Sequence, residues 1–227
     1  MELRRPEGGM LRIGHRGAAA LEPENTLASF SRAVELGVDM IEFDVIAHPG
    51  GGLALAHSAD VLVAGSPMLE DALSFFEQVP EIGLHVDLKL ADGAGQVAQV
   101  VTALRRHGLL ERSFVSSFSA PALRTVGAAA PEIPLGLSYP ENGWLRAPLR
   151  WAVPWRIGDW LERVGASAAV LHRGVVSKAV VERCHRLNAA VIVWTVDDSA
   201  GVRRLARMGV DGVVTNDPRV FAATLAP

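Results

Sequence analysis

An α/β chain folded as a single (β/α)8 TIM barrel is what this sequence predicts, and three observations point to it. Eight short apolar runs of strand length recur along the chain. Amphipathic stretches with helical period lie between most of them. Eight units in 227 residues come to about 28 residues each, which suits a compact closed barrel better than an open sheet. Residues 1–227 are therefore expected to form one domain, without linker, low-complexity segment or internal repeat.

The first strand is expected at Leu11–Gly14, followed by a helix over Thr26–Leu36 that Gly37 ends in a left-handed turn. Met40–Ile46 is the second strand. The interval after it breaks the rhythm and contains a short extended run, Leu53–His57. Leu84–Leu90 is the third strand, followed by a helix over Gln96–His107 with Gly108 as its stop. Phe114–Phe118 and Leu135–Tyr139 are the fourth and fifth strands. A second irregular interval runs from Pro140 to about Gly165 and carries Trp144, Trp151, Trp155 and Trp160 beside Pro148 and Pro154. Ala168–His172, a helix over Ser177–Asn188, Ala190–Val196, a helix over Ala200–Met208 stopped by Gly209, and Gly212–Thr215 complete the pattern.

Composition narrows the function classes. With 49% hydrophobic and 21% charged residues the chain can build a real core. A net charge of −3 speaks against nucleic acid or an anionic membrane as the main partner. One cysteine, Cys184, rules out an intrachain disulfide and any cysteine-rich metal site. The charged N-terminus has no apolar run behind it, and no 18 apolar residues run together, so a soluble, cytoplasmic protein without membrane insertion is expected.

In such a barrel the active site lies at the C-terminal ends of the strands. Ionisable residues concentrate at the first three: His15 and Arg16, Glu42 and Asp44, Asp87 and Lys89. Glu42 and Asp44, two apart on a strand, share a face, which Ile41, Phe43 and Val45 suggest is the barrel interior. Carboxylates so close repel unless a cation neutralises them. With Asp87 on the next strand they make an oxygen-rich seat for one hard divalent cation, Mg²⁺ or Ca²⁺. Simple pairing of Glu42 and Asp44 with Arg16 and Lys89 is the alternative account. His15 and His57 are candidates for proton transfer, Arg16 and Lys89 for gripping phosphate. His85 shares the face of Asp87 one layer deeper and reads as a supporting hydrogen-bonding group. His172 could line the mouth, while His48, His107 and His185 read as structural or solvated.

The run His15-Arg16-Gly17, then Glu22-Pro23-Glu24-Asn25-Thr26-Leu27 with Phe30, then Glu42-Phe43-Asp44, resembles the glycerophosphodiester phosphodiesterase family. The likeness continues through His57, Asp87-Leu88-Lys89, Ser117-Phe118, Val193-Trp194-Thr195-Val196 and the segment Gly212 to Pro218. Family members are TIM barrels that use one divalent cation to hydrolyse glycerophosphodiesters to an alcohol and glycerol 3-phosphate. The resemblance implies a small-molecule glycerophosphodiester substrate and metal ligation by Glu42, Asp44 and Asp87. It also implies a general acid/base pair of His15 and His57, with Arg16 and Lys89 on the phosphate and Trp194 as an aromatic wall beside the glycerol moiety. It leaves open which histidine is the acid.

Two departures stand out. The third acidic position, usually glutamate, is Asp87, one methylene shorter; and His57 is followed by Ser58-Ala59-Asp60 rather than directly by aspartate. Two other functions fit less of the pattern. One is phospholipase D-like cleavage of lysophospholipids by the same fold, for which the tryptophan-rich interval would form an apolar shelf. The other is a catalytically weak phosphodiester-binding module.

Overall fold

The first strand, β1 (Leu11–His15), pairs in parallel with β2 (Met40–Ala47) on one side and with β9 (Gly212–Thr215) on the other, and this double pairing closes the sheet. Going round from β2, the parallel neighbours are β4 (Gly83–Leu88), β5 (Ser113–Ser117), β6 (Leu135–Tyr139), β7 (Ala168–His172) and β8 (Ala190–Trp194), which returns to β9. The eight expected strands thus form the expected barrel, with ends shifted by a residue or two. Lys89, expected inside the third strand, lies just past the end of β4. The computed structural model describes residues 1–4, 9–63, 65–90, 94–139 and 153–224.

The extended run in the first irregular interval is β3 (Leu53–Leu55). It is no barrel strand but folds back antiparallel on β2, with Leu55 opposite Val45. That reversal brings the following His57 alongside Asp44. Helices α1 (Leu27–Glu35), α3 (Ala94–Arg106), α6 (Lys178–Arg186) and α7 (Ser199–Met208) match the expected ones. Thr26, Ser177 and Asp198 cap α1, α6 and α7 by accepting backbone N–H groups, and Gly209 ends α7 at φ 80°. Helices α2 (Leu69–Glu77) and α4 (Ala120–Ala129) have no counterpart among the expected ones, and α5 (Val153–Val164) completes the set. α5 falls within the tryptophan-rich interval. Trp144, Pro148 and Trp151 lie outside the described residues; Trp160 packs on Tyr139 at 4.5 Å between ring centroids, and Trp155 is exposed.

Two layers of apolar packing hold the barrel. Outside it, Phe30 of α1, Phe43 of β2 and Phe76 of α2 meet at centroid distances of 5.4–5.8 Å. Each such ring, fully buried, stabilises the fold by about 2–3 kcal/mol. Inside, the lower part is filled by Leu11, Ile13, Met40, Phe114, Ile192 and Val214, with Leu3 of the N-terminal segment packed against them. Gly136 makes room for Phe114: a Cβ there would stand 2.4 Å from its ring. With the bottom packed by hydrocarbon, the polar interior side chains are confined to the strands' C-terminal end. No described helix is long and apolar enough to cross a membrane.

Candidate active site

Glu42 and Asp44 project into the barrel from β2, and Asp87, in register with Asp44, projects beside them from β4. All three are buried, and one oxygen of each lies within 4.8 Å of the others. Lys89 Nζ stands 3.1 Å from Asp44 Oδ1 and ion-pairs with Asp87 Oδ2, while Arg16 Nε stands 2.9 Å from Asp44 Oδ2. The alternative account, pairing with Arg16 and Lys89, is thus partly met at Asp44. It does not balance the site, because three carboxylates face two cations. Burial, and after it the charges of Asp44 and Asp87, push the Glu42 carboxyl well above its ordinary range. Burial acts upward on Asp44 too, but His57, Lys89, Arg16 and Asn25 outweigh it and hold that carboxyl well below the usual range. Burial works against the charge on Lys89; Asp87, Asp44 and Glu42 prevail and hold it above its ordinary value. Buried Asp44 Oδ1 has two ion-pair partners among the described residues, Lys89 Nζ at 3.1 Å and His57 Nδ1 at 3.5 Å, neither in full hydrogen-bond geometry. An all-oxygen seat of three buried carboxyl groups, one of which resists ionisation unless a further cation joins Arg16 and Lys89, fits a hard divalent cation.

The two histidines flank this seat. His15 ends β1 directly across from Glu42, its Nε2 3.8 Å from Glu42 Oε2. Its Nδ1 lies 2.6 Å from Asn216 Oδ1. Asn216 in turn donates from Nδ2 to Asp197 at 2.8 Å and from its backbone N–H to the same carboxylate at 2.7 Å. A carboxylate only accepts, so the amide presents its oxygen to His15, and His15 must donate from Nδ1. That leaves Nε2 as the basic nitrogen facing the cavity. Burial, and then Arg16, lower the affinity of His15 for a second proton. His57, half exposed, has Nδ1 3.5 Å from Asp44 Oδ1. The structure therefore gathers His15, His57, Arg16, Lys89, Glu42 and Asp87 around one cavity of about 330 Å³, with Asp44 held beside it by Arg16 and Lys89. Proton carriers, cations and a metal seat together can grip a phosphodiester and move protons across it.

The loop after β1 explains its own unusual residues. Arg16 and Asn25 adopt left-handed backbone at φ 51° and 57°, and Gly17 at φ 89°. A Cβ on Gly17 would stand 2.4 Å from Ser29 Oγ. That hydroxyl donates to the Arg16 carbonyl and accepts from Ala18 N–H, tying the loop to α1. Asn25 donates to Asp44 Oδ2 at 3.0 Å and accepts from Asp44 N–H at 3.1 Å. Glu42 accepts from Arg16 N–H at 2.9 Å, and Glu24 pairs with the Arg16 guanidinium. The conspicuous sequence motif is thus a clamp that sets Arg16 and the β2 carboxylates.

Trp194 lines the cavity wall with Phe118 and His172, edge-on to both at centroid distances of 6.1 and 5.2 Å, while its Nε1–H donates to the Val170 carbonyl. His85 is hydrogen-bonded, as expected: its Nε2 meets Ser116 Oγ, and burial pushes its imidazole down to about 4. No role for Asn25, Ser116, Asp197 or Asn216 follows from the sequence alone. Asn25 and Asn216 lie inside the quoted motifs, so an amide next to a proposed ligand or base was the available signal.

The profile of the glycerophosphoryl diester phosphodiesterase family matches residues 15–66 and 67–220, most of the chain. The chain belongs to that family. Among its relatives in the family, the glycerophosphodiester phosphodiesterase of Caldanaerobacter subterraneus subsp. tengcongensis is 28% identical over 92% of this chain and 95% of that protein. A probable glycerophosphodiester phosphodiesterase of Mycobacterium tuberculosis is 28% identical over 92% and 88%. Solved structures share the family's barrel. A putative family member from Silicibacter pomeroyi superposes with a TM-score of 0.79 at 24% identity, covering 96% of this chain and 94% of that one. A phosphodiesterase of Oleispira antarctica, solved in complex with the product sn-glycerol-3-phosphate, gives 0.80 at 22% identity, covering 96% of both.

Proposed function

We propose that this protein hydrolyses glycerophosphodiesters to an alcohol and glycerol 3-phosphate. The observation that carries this is the buried Glu42–Asp44–Asp87 cluster, its oxygens within 4.8 Å of one another and flanked by His15 and His57. The cluster suits the divalent cation on which the family depends, and its all-oxygen character points to Mg²⁺ or Ca²⁺. When bound, that ion supplies Lewis-acid polarisation of a phosphoryl oxygen. Arg16 and Lys89 hold the remaining phosphate charge. His15, with its Nδ1 proton committed to Asn216, presents Nε2 as the proton acceptor for water or the glycerol 2-hydroxyl. His57, open to solvent, is placed to protonate the departing alkoxide. Trp194 offers an aromatic wall to the glycerol moiety. A binding module has no use for two imidazoles beside a cation seat. A preference for lysophospholipids would need the tryptophan-rich shelf, of which Trp144 and Trp151 lie outside the described residues.

The test is release of glycerol 3-phosphate from glycerophosphocholine and glycerophosphoethanolamine by chelator-stripped protein. Turnover returning with Mg²⁺, Ca²⁺ or Mn²⁺ and lost in Glu42→Ala is the expected result. Folded protein that turns over neither diester with any of these ions overturns it.

A further inference from the structure

Asp87 is anchored by a device that the three-carboxylate seat does not itself require. Ser116, directly across from Asp87 on β5, donates from Oγ to Asp87 Oδ1 at 2.6 Å. His85, two residues before Asp87 on β4, brings Nε2 to 2.9 Å from the same hydroxyl. All three side chains are buried, with His85 and Ser116 each 1% exposed. The proton placement follows from counting donors. Ser116 has one proton and spends it on a carboxylate that only accepts, so its oxygen must accept from His85, and His85 must carry its proton on Nε2. His85 Nδ1 has no hydrogen-bond partner although it is buried. A buried imidazole with one nitrogen unpaired is a costly way to fill a core position. Packing alone does not account for it. The ring is also held in place, its face tilted on Phe114 at 4.6 Å between centroids.

We propose that His85 and Ser116 are positioning residues for the third carboxylate, a two-step hydrogen-bond relay that holds Asp87 in its metal-ligating pose. The inference rests on the metal-site reading above. Asp87 stands where the sequence resemblance leads one to expect glutamate, and the shorter side chain has less reach toward a shared ion. Tying Oδ1 to Ser116 fixes the carboxylate plane and leaves Oδ2 beside Lys89, which also contacts Asp44. The relay thus turns the short side chain toward the other two ligands and stops it rotating away. Such outer partners of metal ligands commonly tune affinity.

The experiment is calorimetric titration of chelator-stripped protein with Mg²⁺, and separately Ca²⁺. The proteins compared are wild type, Ser116→Ala, His85→Phe and His85→Gln. Ser116→Ala and His85→Phe are expected to bind the ion more weakly, Ser116→Ala by roughly 10- to 100-fold. His85→Gln, whose amide nitrogen reaches where the imidazole Nε2 stands, is expected to recover most of the loss. Turnover of the weakened variants should return as the ion is raised to saturation, which a purely structural role would not produce. Wild-type affinity in both folded relay-breaking variants, or activity lost at saturating ion with affinity unchanged, overturns the relay while leaving the metal site intact. A wild-type protein that takes up no divalent ion overturns the metal site and the relay together.

Discussion

His15 Nδ1 stands 2.6 Å from Asn216 Oδ1, across the seam where the first strand of the barrel meets the last. Asn216 is itself held by Asp197, which accepts from its side-chain amide and from its backbone N–H, so the end of the last barrel strand and the loop before α7 set the tautomer of a histidine on the first. Removing that support should leave the fold intact and misorient the imidazole. Asn216→Ala is expected to lower kcat by roughly 10- to 100-fold, part of the 10²- to 10⁴-fold that a positioned acid or base contributes, with little change in KM. Asn216→Asp keeps an acceptor for His15 but loses the Nδ2 donor to Asp197 and adds negative charge, so it should also lower kcat and should move the acid limb of the pH profile upward. Steady-state kinetics across pH 5–9 checks both; wild-type kcat in Asn216→Ala would remove Asn216 from the mechanism.

In metal-stripped protein, Glu42 is pushed upward by burial and by Asp44 and Asp87. Between its ordinary value and that raised one, the folded chain keeps a proton that the unfolded chain has lost. This contribution to stability is present at low pH and is lost as pH rises through the raised value. A divalent cation takes the place of that proton, so ion binding should release it and strengthen with pH. Thermal melts with and without Mg²⁺ or Ca²⁺ at pH 5 and pH 8 are expected to show the larger ion-induced rise in Tm at pH 8. Equal rises at the two pH values would mean that Glu42 is already ionised in the stripped site.

Much of this architecture was legible in the sequence because it is repetitive and apolar. Eight buried strands announce themselves by composition, and Gly37, Gly108 and Gly209 do adopt the left-handed backbone expected of helix stops. The acidic pair two residues apart on β2 and its match on β4 were legible for the same reason, since strand periodicity puts such residues on one face. What escaped was set by contacts distant in sequence. Asn216 gains its role from His15, 201 positions away, and from Asp197. Ser116 gains its role from a strand neighbour 29 positions away. Neither partner has a local signature. Helix α4 escaped because its amphipathic pattern is weaker than that of the expected helices, whereas α2, as amphipathic as α3, follows the interval that already breaks the rhythm.

Cys184, the one cysteine, is buried in α6, and burial pushes its thiol up to about 12. At neutral pH it should therefore be inert to a thiol reagent in the folded protein and react fully once the chain is unfolded. Because the folded thiol holds its proton above the ordinary value of 9.0, stability should fall as pH rises from about 9 to about 12. Reaction with a chromogenic disulfide, native and in denaturant, together with melts between pH 8 and 11, measures both. Rapid native labelling would show that α6 opens far more readily than its packing implies.

Gly17 is where the fold and the chemistry depend on the same atom. At φ 89° any side chain is strained, at a cost of about 1–2 kcal/mol, and a methyl group here would meet Ser29 Oγ at 2.4 Å, with the Ser29 backbone close behind. Overpacking of that kind adds about 1–3 kcal/mol, so Gly17→Ala should destabilise the protein by roughly 2–5 kcal/mol. At this chain length that lowers Tm by roughly 4–20 °C. Relief must come from moving the Arg16 carbonyl or the start of α1, since Ser29 bonds to one and belongs to the other. Either movement displaces the Arg16 guanidinium from Asp44, so KM for the diester should rise as well. Ser29→Ala removes the nearest of these contacts but leaves the Ser29 backbone carbon and oxygen at 2.6 and 2.7 Å. The double variant Gly17→Ala/Ser29→Ala should therefore recover part of the lost Tm but not the KM, because the hydrogen bonds that set Arg16 go with the hydroxyl. Full recovery of both by the double variant would show that the contact with Ser29 matters only as a clash.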